Sequence, residues 1–163
     1  MISNEDFLQL FRQNSAQQHI PIHTQIFRQQ EAVRDIYLLA KGLVKMTRVE
    51  KDGQETILDL RFVGSLLGAT SALANEPAPM TAISVTLCEV YRLSVKEFLR
   101  LAQSDEAFWH ELLKLVSRQR NEQVDQRAQQ STLDARSRLI RLLLLGKRVW
   151  PRTKRAAIPG LTP

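Results

Sequence analysis

One cysteine, Cys88, is all the thiol chemistry in the 163 residues. A lone thiol excludes a disulfide framework within the chain, a cysteine-rich zinc site and a cysteine-held iron–sulfur cluster. It sits in Ile83-Ser84-Val85-Thr86-Leu87-Cys88-Glu89-Val90-Tyr91, a setting that suits a small buried hydrophobe better than a reactive group. Histidine is nearly as scarce, at His19, His23 and His110. Pro21 interrupts the first two and no Glu completes an H-E-x-x-H pattern, so no metal centre is expected. Neither a nucleophile elbow nor a G-x-x-x-x-G-K-[ST] or G-x-G-x-x-G phosphate loop occurs. The acidic pairs Glu5-Asp6 and Asp105-Glu106 fall at expected helix starts, where capping and the helix dipole explain them. A chain with no catalytic residues and no cofactor is the expectation. No apolar run reaches about 18 residues, and the start, Met1-Ile2-Ser3-Asn4-Glu5-Asp6, lacks the basic and apolar regions of a signal peptide, which predicts a cytoplasmic protein without membrane contact.

What is present suffices for one compact domain with a core, since 44% of residues are hydrophobic. The net charge of +6 is unevenly placed. Residues 1–133 carry 15 Lys and Arg against 16 Asp and Glu, whereas residues 134–163 carry 8 against 1. Such a basic cluster is what a phosphate backbone attracts; a solvated tail has the same composition.

A short helix is expected near the start, capped by Ser3 and with Phe7, Leu8, Leu10 and Phe11 on its apolar side. From Thr24 to Ser94 the pattern is that of strands: Ile36–Leu39, Leu43–Val49, Thr56–Leu60 and Ile83–Leu87 are short, β-branched or aromatic, and separated by turn signals. Asp52-Gly53, within Glu50–Gln54, marks a tight hairpin. Many short strands so punctuated point to a sandwich or jelly roll.

The period then switches to that of helices. Val95–Leu101 reads as a brief helix, and Ser104 as the cap of a long one over 105–130. That segment has no Gly or Pro and would span roughly 39 Å. Phe108, Trp109, Leu112, Leu113, Leu115 and Val116 can pack on the β domain. The second half is too polar for its own core, and a lone polar helix is marginal in water. A partner helix, most simply from a second copy, would stabilise it along a seam of Leu112, Val116, Gln119, Gln123 and Val124. After a break at Ser131–Asp134, residues 135–145 form an amphipathic helix with Gly146 as its stop. Residues 147–163 contain three prolines and no long apolar run.

Several local sequences resemble the CRP/FNR family of bacterial transcription regulators, in the family's order. Ile36-Tyr37-Leu38-Leu39-Ala40-Lys41-Gly42-Leu43-Val44-Lys45 is similar to its Y-x-L-x-x-G-x-V/L segment, and Asp52-Gly53-Gln54-Glu55-Thr56-Ile57-Leu58 to its D-G-x-E-x-x-L hairpin. Gly64-Ser65-Leu66-Leu67-Gly68 resembles the G-x-x-x-G entry to the phosphate-binding cassette, Thr81-Ala82 its close, and Leu133-Asp134-Ala135-Arg136-Ser137-Arg138-Leu139 the start of the DNA-binding half. Together these cover about residues 25–145.

The resemblance implies a mainly β fold with α. A cyclic-nucleotide-binding-like β-roll (a double-stranded jelly roll) with flanking short helices occupies 1–104, a long dimerisation helix 105–130, and a truncated helical tail, the remnant start of a winged helix-turn-helix, 131–163. It implies a homodimer that senses an effector, with DNA read only through a missing or incomplete C-terminal domain. The cassette-equivalent positions are Gly68, Ala69, Thr70, Met80 and Thr81, joined from the long helix by Gln119 and Gln123. In relatives that bind cyclic AMP, a glutamate holds the ribose and an arginine the cyclic phosphate. Ala69 and Met80 stand at those two positions here. A buried phosphate without a cation or several donors is costly, so the expected effector is a small molecule other than cyclic AMP. The alternative is a stand-alone dimerising module that pairs with full-length regulators or other proteins.

Overall fold

The computed structural model describes Gln9 and residues 11–130, with side chains as far as Asn121. The expected cap at Ser3 and the helix at 135–145 lie outside these residues, as does the rest of the tail. The chain divides into two compact units, Met1–Asp125 and Gln126–Pro163.

Gln9 and residues 11–13 are helical, and after them eight strands and three helices follow in order among the described residues: β1 (Ala16–Ile20), β2 (Gln25–Phe27), β3 (Asp35–Lys41), β4 (Val44–Val49), β5 (Glu55–Arg61), β6 (Leu66–Leu67), α1 (Ala69–Ala74), β7 (Thr81–Ser84), β8 (Cys88–Ser94), α2 (Val95–Ser104) and α3 (Glu106–Gln130). The strands form two four-stranded antiparallel sheets, ordered β1-β8-β3-β6 and β2-β7-β4-β5. This is the jelly-roll architecture expected from the short, punctuated strands. The Asp52-Gly53 signal does close the β4–β5 hairpin: Gly53 has φ +85, its N–H donates to the Glu50 carbonyl, and the Asp52 carboxylate accepts from the Gln54 N–H.

One strand expectation fails. The run Ile83–Leu87 is not continuous, because β7 stops at Ser84 and β8 starts at Cys88. Side chains there bind backbone instead of extending a ladder. Ser84 Oγ accepts from the Thr24 N–H at 2.8 Å and donates to the Pro21 carbonyl at 2.6 Å, and Thr86 Oγ1 accepts from the Leu43 N–H at 3.0 Å. β-branched residues therefore line a turn, and β8 is an inner strand of the first sheet, between β1 and β3.

Two apolar clusters hold the unit together. Inside the roll, Ile20, Leu39, Val44, Met46, Leu67, Ala82, Cys88 and Val90 are buried together. On the helical side, Phe11, Ile36, Leu38, Leu93, Phe98, Leu101, Phe108, Leu112 and Leu115 form the second cluster, with Phe98 and Phe108 edge to face at 5.8 Å. The first half of α3 thus packs on the roll, as its apolar spacing suggested. The compact unit accordingly includes this part of α3 and runs to Asp125.

Capping differs from expectation at one residue. Ser94 caps α2, its Oγ accepting from the Glu97 N–H, but α3 is capped by Asp105, whose Oδ1 accepts from the Phe108 N–H at 3.0 Å. Ser104 instead ends α2 and donates to the Arg100 carbonyl. Two adjacent capping residues compete, and the carboxylate also meets the positive helix end.

Candidate functional site

The turn from β6 into α1 is fixed by backbone geometry. β6 pairs with β3 through Tyr37↔Leu67 and Leu38↔Leu66, and Gly68 follows at φ +85. A Cβ on Gly68 would lie 2.8 Å from Val33 Cγ1 and 3.2 Å from the Asp35 carbonyl oxygen. Only glycine meets both the left-handed conformation and this approach. The Gly68 carbonyl accepts from the Ala72 N–H, and no side chain caps the start of α1.

α1 buries Ala69, Ser71 and Ala72 and leaves Thr70 exposed. Ala69, at 2% exposure, belongs to the helical-side cluster. Across the roll, Thr81 is buried, and its Oγ1 accepts from the Gln29 N–H at 3.0 Å, which leaves its O–H as a donor. Met80 is half-buried and packs against the cluster inside the roll.

Of the α3 positions expected at this site, Gln119 reaches it: its Nε2 donates to the Leu66 carbonyl at 3.3 Å, two residues before Gly68. Gln123 and Val124 lie further along α3, and their side chains fall outside the described residues. Val116 is half-buried against the helical-side cluster. Leu112 must be corrected. It has no exposed surface and belongs to the chain's own core, because its side chain shares the α3 face of Phe108 and Leu115. Among the described side chains, the exposed large apolar residues of this helix are Trp109 and Leu113.

Cys88 is fully buried, as expected. Burial pushes its thiol pKa up, against smaller lowering by hydrogen bonds to Leu43 and Thr86. Sequence reasoning passed over Asp59 and Arg61, an ion pair at 2.9 Å with side chains only 5% and 13% exposed. The available signal was two opposite charges at period-two spacing, flanking Leu60 and following the apolar Ile57-Leu58.

Residues 17–105 match the family model described as "Cyclic nucleotide-binding domain". The chain belongs to the cyclic nucleotide-binding domain family. Among relatives, the Cyclic AMP receptor protein of Thermus thermophilus is 31% identical over 97 residues, covering 60% of this chain and 45% of the relative. Potassium channel AKT1 of Oryza sativa is 27% identical over 104 residues, covering 64% of this chain and 11% of the channel. The chain thus spans only a small part of the channel and under half of the Thermus regulator. Among solved structures, the Thermus thermophilus catabolite activator protein superposes with a TM-score of 0.64 at 26% identity, covering 77% of this chain and 59% of that one. CLP, a c-di-GMP-responsive global regulator of Xanthomonas campestris, reaches a TM-score of 0.71 at 19% identity, covering 85% and 70%; that likeness speaks for the fold alone. These relatives are regulators and a channel rather than enzymes. Among the described residues, no helix is long and apolar enough to cross a membrane.

Proposed function

We propose that this chain is the effector-sensing and dimerising part of a transcription regulator of the CRP/FNR type, and that its effector is not cyclic AMP. The observation that carries this reading is the setting of two residues. Ala69 is sealed into one apolar cluster and Met80 packs on the other, at the two positions where the resemblance calls for a ribose-binding glutamate and a phosphate-binding arginine. Thr81 and the amides around Gly68 remain as donors, without a guanidinium beside them at position 80 to neutralise a cyclic phosphate. Gln119, held against the Leu66 carbonyl, supplies a route by which occupancy of the roll would reach α3. Trp109 and Leu113, exposed on α3, favour a partner along that helix. The 8 Lys and Arg against 1 acidic residue in 134–163 favour nucleic acid near that end.

Calorimetry with cyclic AMP tests the effector: wild type should give no micromolar binding, and Met80→Arg, which returns a guanidinium next to Thr81, should gain affinity. Micromolar binding by wild type would overturn the reading. Light scattering tests dimerisation, with a particle of twice the 18.7 kDa chain expected; a strict monomer at tens of micromolar counts against it.

A further inference from the structure

Asp59 and Arg61 lie two residues apart on β5 and so share a face. In the β4–β5 ladder Asp59 stands opposite Met46, and Arg61 opposite Val44. Directly opposed residues face the same way, and Val44 and Met46 belong to the cluster inside the roll. The ion pair therefore points into the roll. Beyond β4, Ala82 of β7 stands opposite Met46, which places Met80 and Thr81 on the adjoining stretch of wall.

The fold does not require this pair. Taking two charges out of water costs more than their attraction returns unless further hydrogen bonds complete the geometry, and apolar side chains of similar volume would serve a core at least as well. Arg61 Nη2 is turned to Asp59 Oδ2, and Asp59 Oδ1 also accepts from the Leu60 N–H. A guanidinium carries five N–H donors in a rigid fork matched to oxyanions. Among the described residues Asp59 is the ionic partner of Arg61, and one carboxylate contact does not use up the five donors of a guanidinium.

We propose that Arg61 is the effector's anchor: the roll takes a small effector bearing an oxyanion, carboxylate or phosphate, whose oxygens accept from the Arg61 guanidinium, while Asp59 holds that guanidinium in place and competes for it. This rests on the reading of the roll as an effector site. The anchor has moved from position 80, just ahead of β7, to β5, so it meets the oxyanion from a different wall and selects a ligand of different shape.

The test is a titration of the isotope-labelled full chain with inorganic phosphate and, separately, succinate at fixed ionic strength, followed by amide chemical shifts. Shifts are expected at both Asp59–Arg61 and Gly68–Thr70 with at least one of the two probes. Arg61→Met should weaken binding by about tenfold or more, the loss typical of a hydrogen bond to a charged group, and Asp59→Asn, which removes the competitor, should tighten it. If the Gly68–Thr70 shifts persist with unchanged affinity in Arg61→Met, the effector site stands and the anchor role falls. If neither anion moves any resonance in the roll, both fall. Should Arg61→Met fail to fold, Asp59→Asn decides: unchanged or weaker anion affinity overturns the proposal.

Discussion

The two apolar clusters are built from different materials. The helical side uses fully buried phenylalanines, Phe11, Phe98 and Phe108, with Leu112 and Leu115 of α3. The roll interior uses Val, Leu and Ala with two sulfur side chains, Met46 and Cys88, and has the Asp59–Arg61 pair on its wall. Large rigid rings in edge-to-face contact lock α2 and α3 together, whereas thioether and small side chains adapt to what sits beside them. One side of the protein is made to stay packed, and the other tolerates polarity inside its walls. That division suits a domain in which a ligand enters the roll and a helix carries the consequence away.

Mutation can break or sharpen this contrast. The largest effect is expected from Phe108→Ala, which empties a fully buried site and should cost about 3–5 kcal/mol by urea denaturation; a loss under about 1 kcal/mol would mean that α3 is not anchored by its ring. Gly68→Ala comes next, because a Cβ there meets Val33 Cγ1 at 2.8 Å and the residue has φ +85. The expected cost is roughly 1–3 kcal/mol, with amide shifts spreading from the β6–α1 turn to both clusters. Replacing the Asp105 cap by Ala should cost about 1 kcal/mol, and the same change at Ser104 distinctly less, since Ser104 does not cap α3. A double-mutant cycle between Phe98 and Phe108 should return a coupling of about 0.5–1.5 kcal/mol; zero coupling would reduce the aromatic contact to plain burial.

The smallest effect belongs to the roll interior. Burial raises the Cys88 pKa above its ordinary 9.0, so the unfolded chain gives up this proton first. The Cys88 contribution is therefore undiminished below that pH and declines as pH rises past 9.0 toward the folded value. Tyr37, raised by burial and then by Asp35, acts the same way above its ordinary 10.0. Cys88→Ala should flatten part of the fall in urea midpoint between about pH 8 and pH 10; an unchanged slope would assign the whole fall to other groups.

Periodicity and turn chemistry made much of this legible beforehand. The Asp52-Gly53 hairpin, the switch to helix after Ser94, the packing of Phe108 and the burial of Cys88 all follow from local pattern. The errors have one source. Val85–Leu87 looks like strand and Ser104 like a cap because each suits that role locally; what overrode them was the neighbour each side chain met, at Leu43 and at Arg100. Leu112 was misplaced for the same reason, since an apolar stripe on a helix does not say whether it faces its own domain or a partner.

At the site, the sequence determined which groups are present: Gly68, Ala69 and Thr70 in one stretch, Met80 and Thr81 in another, and Gln119 on the long helix. These are covalent facts, so they survive any rearrangement of the fold. Tertiary structure alone decided that Gln119 meets Leu66 from 53 positions away, and that Asp59 and Arg61 point inward. Strand register sets which face a residue shows, and register is fixed by pairing with strands remote in the chain.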